Sequence, residues 1–270
     1  MKREEKNEVP RRAGRPYGGG LPCGGPGGRR PAGAFVFPLL LPALLLAALA
    51  VLSAGAEESL IGTSVKSDKW NIKRGEQKIE EFTGNVVYKK DRRGARADWA
   101  LYDHDRRRLD ARGALSADER LEDGTLAVAR GEKAVHDQAN GRGSLEGRTP
   151  EEGVRLELKK PDGSEQGRGR ADRASWDLKE RTVRLDGGVW VKEERGEARA
   201  ETARFNQAKK RLDLEGRRPV LSGVGPGWGA AVQADAVSAE ALSGSRRRIT
   251  GNGKAHGWLY FPPQKGGLTP

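Results

Sequence analysis

The sequence has very little cysteine and histidine, the residues that most often carry catalysis or bind metals. Among 270 residues there is one cysteine, Cys23, and three histidines. A single thiol cannot form an intramolecular disulfide, so we predict no disulfide framework. His104, His136 and His256 lie in unrelated contexts, and no metal-ligand spacing, nucleophile motif or phosphate-binding loop accompanies them. We therefore predict no enzyme, no catalytic residues, no cofactor and no metal. A hidden pair of carboxylates for glycoside hydrolysis is the remaining enzymatic alternative.

Large apolar side chains are also scarce. Hydrophobic residues make up 35% of the chain and aromatic residues 6%, against 33% charged residues and 38 glycines. This composition predicts a core that is thin or spread along the chain, and the patterning of the apolar residues indicates order. Glycine interrupts every candidate stretch with a period of 3.6 residues, which argues against helices.

The first 56 residues form a leader that differs from the rest. Residues 1–33 are rich in Gly, Pro and Arg, have no apolar period and are expected to be disordered. Residues 34–56 are uncharged and end in an Ala-x-Ala cleavage signal at Ala56. We expect a signal peptide, with a retained membrane anchor as the alternative, because 35–52 is just long enough to cross a bilayer. Either reading places the following residues outside the cytoplasm.

The formal net charge of +12 suggests an anionic partner. Removing the 8 basic and 3 acidic residues of the leader leaves 42 basic and 35 acidic residues, a net charge of +7. These charges alternate in sign along the chain, which is typical of the solvated faces of strands. No platform of aromatic and basic residues recurs, and we predict no nucleic-acid partner.

A short motif recurs along the chain: an acidic residue is followed two residues later by Ala and four residues later by a side chain with a ring. It occurs as DWALYD (98–103), EKAVHD (132–137), DRASWD (172–177), ETARFN (201–206) and DAVSAE (235–240), the last without its ring, and an incomplete copy, KSDKWN, stands at 66–71. The successive intervals between the five copies are 34, 40, 29 and 34 residues. Such a repeat predicts stacked units that share one core.

Each copy is predicted to be a strand, a turn and a return strand. Side chains alternate in a strand, so Ala174 and Trp176 share one face, which we expect to point inward. The Asp or Asn after the ring is expected to start the turn. A further hairpin is predicted at 154–168, while 141–153 and 222–231 are expected to be loops. The predicted fold is all-β, a narrow, elongated sandwich or β-jelly roll, over residues 57–260, with a loose tail at 261–270.

The motif F-x-G-N-V at 82–86, followed by ADWALYD and LDARG, resembles the OstA-like domain of the LptA and LptC family of lipopolysaccharide-transport proteins. The resemblance covers roughly residues 61–256 and is sharpest at 79–113. It implies a twisted β-jelly roll of repeated hairpin units, with a groove that holds the acyl chains of lipopolysaccharide. It also implies end-to-end strand pairing into a bridge between the inner and outer membranes.

On this resemblance the groove wall would be formed by the inward residues of the repeats, with ordinary core packing as the alternative for each residue. The predicted lipid-binding residues are Trp70, Phe82, Val86, Tyr102, Leu109, Trp176, Leu185, Val189, Phe205, Leu212, Leu214 and Ile249.

The partners implied by the resemblance are lipopolysaccharide and other OstA-like domains, those of an inner-membrane transporter complex and of an outer-membrane LptD-like translocon. Pairing between copies of the chain would give a homo-oligomer. A retained anchor would instead indicate a membrane-tethered, LptC-like component of the transporter. A structural or adhesive repeat protein with a filled interior is the rival from another functional class.

Overall fold

The structure is a computed structural model that describes residues 63–261 except 76, 150, 226 and 243–246. The predicted segments 1–33 and 34–56, and the tail beyond Phe261, lie outside the described residues. No helix within the described range is long and apolar enough to cross a membrane.

The described chain is all-β, and its paired strands run antiparallel, as the alternation in the repeats predicts. The strands are β1 Thr63–Lys66, β2 Lys69–Arg74, β3 Lys78–Lys90, β4 Arg93–Asp103, β5 Arg108–Arg120, β6 Leu126–Asp137, β7 Arg142–Glu146, β8 Val154–Lys159, β9 Glu165–Ala171, β10 Arg173–Asp177, β11 Thr182–Glu193, β12 Gly196–Asn206, β13 Arg211–Glu215, β14 Val220–Gly225, β15 Trp228–Gln233, β16 Ala236–Ala241, β17 Arg247–Asn252 and β18 His256–Tyr260.

The strands form two layers, because the six longest strands pass from one layer to the other. Layer A has the order β2-β3-β4-β5-β6-β7-β10-β11-β12-β13-β16-β17. Layer B has the order β1-β3-β4-β5-β6-β8-β9-β11-β12-β14-β15-β18. The result is a β-jelly roll of repeated hairpin units, as predicted.

The layers join where the strands bend. The pairing of β11 with β12 shifts register between Asp186 and Val189, and Gly187 stands at the bend with a φ of 79°. A Cβ at Gly187 would lie 2.0 Å from a carboxylate oxygen of Asp172, so only glycine fits. In five of the six copies, the acid of the motif therefore has a structural position beside a bend glycine. The pairs are Asp68 with Gly84, Asp98 with Gly113, Asp172 with Gly187, Glu201 with Gly216, and Asp235 with Gly253.

The turns form as the Asp and Asn pattern predicts. Asp103 Oδ1 accepts the backbone N–H of Arg106 at 2.9 Å, and Asp177 Oδ1 accepts that of Glu180 at 2.9 Å. Asn206 makes the same bond to Lys209. These bonds satisfy backbone donors that a tight turn leaves without a strand partner.

The core lies between the layers. Inward residues of layer A, such as Trp176 and Phe205, belong to one buried cluster together with Val189 and Leu156 of layer B. The predicted 154–168 hairpin is confirmed as β8 and β9. The two loop predictions were wrong in part, because β7 lies within 141–153, and β14 and β15 occupy most of 222–231. Glycines interrupt the alternation of apolar and polar residues in both segments, so no strand was predicted there. Backbone pairing with the neighbouring strands nevertheless keeps these segments extended.

Candidate functional site

The interior of layer A is built from two parallel rows of inward side chains. The strand register places one residue from each strand directly opposite the next. The first row is Trp70, Phe82, Ala100, Ala111, Ala134, Leu145, Ala174, Leu185, Ala203, Leu214, Val237 and Gly251. The second row is Ile72, Glu80, Tyr102, Leu109, His136, Gly143, Trp176, Val183, Phe205, Leu212, Ala239 and Ile249.

The structure brings the twelve predicted lipid-binding residues to this interior but gives them different exposure. Ten of them lie in the two rows of layer A, and Val86 and Val189 belong to the same core from layer B. The buried ones are Val86, Trp176, Leu185, Val189, Phe205, Leu212 and Leu214. Phe82, Tyr102, Leu109 and Ile249 are half-buried, and Trp70 is exposed.

In the middle of the sandwich the interior is filled by protein side chains. A crevice lined by Leu185, Phe205 and Leu212 from layer A and by Val189 and Val191 from layer B leaves a cavity of only about 10 Å³. That volume is roughly enough for one water molecule. The seven buried residues therefore face other side chains in this conformation and stabilise the fold by burying apolar area.

At the N-terminal end of the described sandwich, inward apolar side chains reach solvent. Trp70 on the edge strand β2 is 60% exposed and stacks on Phe82, with ring centroids 6.0 Å apart and an angle of 10° between the planes. Tyr102 and Leu109 are half-buried in the second row, and Val65 on β1 is exposed. We call these five residues the open end.

Several polar groups that the sequence patterns did not single out border the open end. The Tyr102 hydroxyl donates to Gln138 Oε1 at 2.7 Å, and burial raises the pKa of Tyr102, so the phenol stays neutral. In layer B, Lys90 is buried, and Arg93 Nε lies 3.3 Å from Glu119 Oε1. Val86, Tyr88 and Lys90 are spaced two residues apart along β3. Extending the alternating pattern from Val86 to Lys90 would therefore have predicted that the Lys90 side chain points inward.

His136 takes the ring position of its repeat, as the sequence predicts, and it is deeply buried. Its Nδ1 accepts the Trp176 indole N–H at 3.3 Å, and the rings stack with centroids 5.9 Å apart. Burial lowers the pKa of His136 to about 4, so the ring is neutral at pH 7. Among the residues described, no group of three or more His, Cys, Asp or Glu side chains is placed to hold a metal ion.

At the C-terminal end, large apolar side chains gather on and beside the edge strand β18. Trp258 is 54% exposed and Leu259 is 73% exposed, and Tyr260 and Phe261 are exposed as well. The register of β18 with β15 puts Leu259 on the inward side and Trp258 on the outward side. Sequence reasoning missed this strand because its residues belong to no copy of the repeat.

The strand order and register define an all-β, jelly-roll class of protein with an apolar interior. No protein-family model and no curated protein sequence matches the chain. Among solved structures, the chain is similar to LptH from Pseudomonas aeruginosa, the LptA-homologous periplasmic component of the lipopolysaccharide transport device. That match covers 57% of this chain and 82% of the LptH chain, at 10% sequence identity and a TM-score of 0.29.

Proposed function

We propose that the protein is a periplasmic lipopolysaccharide-binding transport protein of the LptA kind. Its interior would hold acyl chains, and it would form part of a bridge between the inner and outer membranes. The observation that carries this proposal is the open end, where inward aromatic and aliphatic side chains of both layers remain accessible at the edge of a jelly roll. Large side chains exposed at the end of an interior are typical of a binding surface rather than of a sealed core.

The chemistry of the open end suits an acyl chain. Each methylene removed from water contributes about 0.8 kcal/mol, and the rings of Trp70 and Phe82 offer flat apolar surface for that burial. Beyond Phe82 the first row continues as Ala100, Ala111 and Ala134. These alanines are buried and contribute little side-chain volume of their own, so an acyl chain entering beside Phe82 would have to displace only the side chains that cover them.

The cationic groups near the open end suit the phosphate groups of lipopolysaccharide. Lys90 and Arg93 lie opposite each other at the turn end of β3 and β4, on the inward side of layer B. Lipid A phosphates bind ammonium and guanidinium groups through charge-assisted hydrogen bonds. The acyl chains of lipopolysaccharide would lie between the layers while its phosphates bind near Lys90. Both parts of the lipid would therefore be bound at the same end of the sandwich.

The terminal strands suit partners that bind by strand addition. Within the described residues, β1 and β2 form one end of the two layers, and β17 and β18 form the other, each with one unpaired side. Such edges accept a strand of another domain. The edge strand β2 carries Lys69, Lys73 and Arg74, and β17 carries Arg247 and Arg248. Like charges across a strand pair are destabilising, which favours OstA-like neighbours with acidic edges over copies of this chain.

The filled middle of the interior specifically favours one alternative, a structural repeat protein that binds no lipid. The LptC-like alternative depends on residues 34–56, which lie outside the described part of the chain. A lipid-binding experiment on the open end separates the first alternative from the proposal.

Replacing Trp70 with Asp is expected to weaken lipid binding strongly while leaving the fold intact. Trp70 lies on an edge strand and is exposed, so its loss removes little core packing, whereas a carboxylate would oppose an acyl chain beside Phe82. The full chain would be produced in a host that makes lipopolysaccharide, and bound lipid would be measured by native mass spectrometry. We expect at least a roughly ten-fold loss of bound lipid, which follows from about 1.4 kcal/mol of lost affinity.

Trp258→Asp is the matched control, because Trp258 is similarly exposed but points outward on β18. It is expected to retain the bound lipid of the wild-type protein. If the wild-type chain carries no lipid and takes none up when lipopolysaccharide is added, the structural-repeat alternative replaces the proposal.

Replacing Leu259 with Asp is expected to weaken end-to-end association. Leu259 is the inward side chain of β18 and is 73% exposed, and a carboxylate there would repel the acidic edge of a partner strand. Val224→Asp is the control, because Val224 is an exposed aliphatic residue on β14, which lies between β12 and β15. Sedimentation velocity with an acidic-edged OstA-like partner should show complex formation for the control and not for Leu259→Asp. Equal association of both variants would exclude β18 as the docking edge.

A further inference from the structure

The outward face of layer B carries a row of arginines that the repeat pattern does not predict. The strand register places Arg130 of β6 opposite Arg155 of β8, and Arg155 opposite Arg170 of β9. The same row continues through Trp190 of β11 to Arg199 of β12. Arg130 and Arg199, at the two ends of this row, each contact a glutamate, Glu157 and Glu197 respectively. Arg155 and Arg170 lie directly opposite each other, and like charges in that arrangement do not stabilise a sheet.

On the outward face of layer A, arginines are paired with acids. Arg108, Arg184 and Arg211 each bind an aspartate two residues further along the same strand, at 2.8 to 2.9 Å. A pair of this kind also occurs on layer B, between Arg199 and Glu197. The distinguishing feature of layer B is therefore the run of three arginines that lie opposite one another on neighbouring strands.

The row crosses an open cleft of about 610 Å³ on the outer surface. Trp190 forms part of its lining, and its indole N–H is already bound to Glu197 Oε1 at 3.0 Å. Because Arg170 and Arg199 stand one strand to either side of Trp190, their backbones are roughly 10 Å apart. The lining residues are Arg170, Gly188, Val189, Trp190, Arg199, Ala200, Glu201, Arg217, Arg218, Val220 and Gln233.

Four guanidinium groups face this cleft, against one carboxylate in its lining. The carboxylate belongs to Glu201, which Arg217 Nε already contacts at 2.9 Å. Arg199 Nε lies 2.5 Å from Glu197 Oε1, and that carboxylate is shared with Trp190. Two of the four arginines, Arg199 and Arg217, are thus paired with a glutamate. Four guanidinium groups against two carboxylates leave an excess of two positive charges at the cleft.

The loop between β13 and β14 presents two of the arginines. Arg217 follows the bend glycine Gly216 with a φ of 51°, just as Asn85 and Ala114 follow Gly84 and Gly113 with φ values of 46° and 43°, so this conformation belongs to the repeating bend. Arg218 also has a positive φ, 54°, in the left-handed region that residues other than glycine seldom adopt. Both side chains are exposed, so the loop holds two guanidinium groups at the surface beside the cleft.

We propose that this cleft binds a phosphate-bearing anion with at least two negative charges. Arg170 and Arg199 would contact it from the strands, and Arg217 and Arg218 from the loop. Guanidinium groups bind phosphate oxygens in a bidentate manner, and an oligoanion would relieve the repulsion among the arginines. The four arginines lie on the outer face, and Val189 is the one residue of the cleft lining that also belongs to the predicted acyl-chain interior. The proposal does not depend on acyl chains being bound.

The test uses the full chain with two probes that share this chemistry. Pyrophosphate, measured by titration calorimetry, represents a soluble phosphate, and phosphatidylcholine vesicles containing phosphatidic acid represent a lipid headgroup. The cleft variants are Arg199→Gln and the double variant Arg217→Gln/Arg218→Gln. The charge-matched control is Arg204→Gln/Arg248→Gln, because both arginines are exposed on the outward face of layer A.

We expect the wild-type chain to bind at least one probe, and each cleft variant to bind it at least about ten-fold more weakly, with the control unchanged. Binding of vesicles alone would identify a lipid headgroup as the source of the phosphate, and binding of pyrophosphate would identify a soluble anion. If the wild-type chain binds neither probe, or if the control weakens binding as much as the cleft variants, the proposal is overturned. Neither of those results would contradict the separate proposal that the interior holds acyl chains.

Discussion

Replacing Trp176 with Ala is expected to lower the free energy of unfolding by about 4 kcal/mol, which corresponds to a fall in Tm of roughly 10 °C. Trp176 is only 3% exposed and stacks against His136. Its ring also lies directly over β7, because a Cβ at Gly143 would stand 2.2 Å from the indole. Removing the ring would leave a cavity that this rigid two-layer core cannot close, and it would free the buried His136 Nδ1 of its donor.

The measurement is chemical unfolding of the full chain at pH 7.5. Trp176→Phe is the matched variant, since it keeps an aromatic ring in the same position and loses only part of the volume and the indole N–H. We expect it to fall between the wild-type protein and Trp176→Ala. A Trp176→Ala variant as stable as the wild-type protein would show that the indole packs loosely and is available to a ligand.

This prediction also decides which residues are suitable for testing lipid binding. An Asp at Trp176 or Phe205 would place a charge in a filled core, and unfolding would then be indistinguishable from loss of a binding surface. Trp70, at the same ring position of its own repeat copy, can be changed without that ambiguity.

Acidification is expected to destabilise the fold through His136 by about 3 kcal/mol in total. The pKa of His136 is about 4 in the folded state and about 6.5 in an unfolded chain. Between these values the unfolded chain binds more protons, so stability rises with pH. The contribution of the neutral ring is therefore fully present above pH 6.5 and is lost as the pH falls towards 4.

The measurement is the free energy of unfolding of the wild-type chain and of His136→Gln between pH 4 and pH 7.5. A glutamine retains an acceptor for the Trp176 indole N–H but does not titrate, so the variant should lack this part of the pH dependence. Turn carboxylates such as Asp137 and Asp177 have lowered pKa values because backbone and side-chain donors bind them, and they contribute at lower pH in both proteins. The difference between the two proteins isolates His136.

His256→Gln is the control for a general effect of removing a histidine, because His256 is exposed on β18. It should keep the loss of stability on acidification that His136 causes, because His136 is unchanged in this variant. A His136→Gln variant with undiminished pH dependence would show that the buried ring titrates near its ordinary pKa.

Local sequence was sufficient to predict the repeating unit. An acid, a small residue and a ring at alternate positions predict one inward face, and Ala174 with Trp176 confirm it. The turn position of Asp177 and the bend at Gly187 follow from side-chain hydrogen bonding and from glycine's tolerance of positive φ, which are properties of a few adjacent residues.

Exposure of equivalent residues could not be predicted in this way. Trp70 and Trp176 both occupy the ring position of a repeat copy, yet one is 60% exposed and the other 3%. The difference arises because β2 is an edge strand of layer A and β10 lies between β7 and β11. Burial depends on neighbours from distant parts of the chain, and the repeat itself does not record them.

The sequence by itself therefore determined the all-β class, the hairpin unit and the inward face of each copy, because alternation and turn chemistry act over a few residues. Tertiary structure alone decided which inward rings are core and which form the open end. It also assembled the outer cleft, since Arg170, Arg199 and Arg218 come from separate repeat units and meet only through the strand order of layer B. Cross-strand pairing creates such contacts, and no spacing along the chain encodes them.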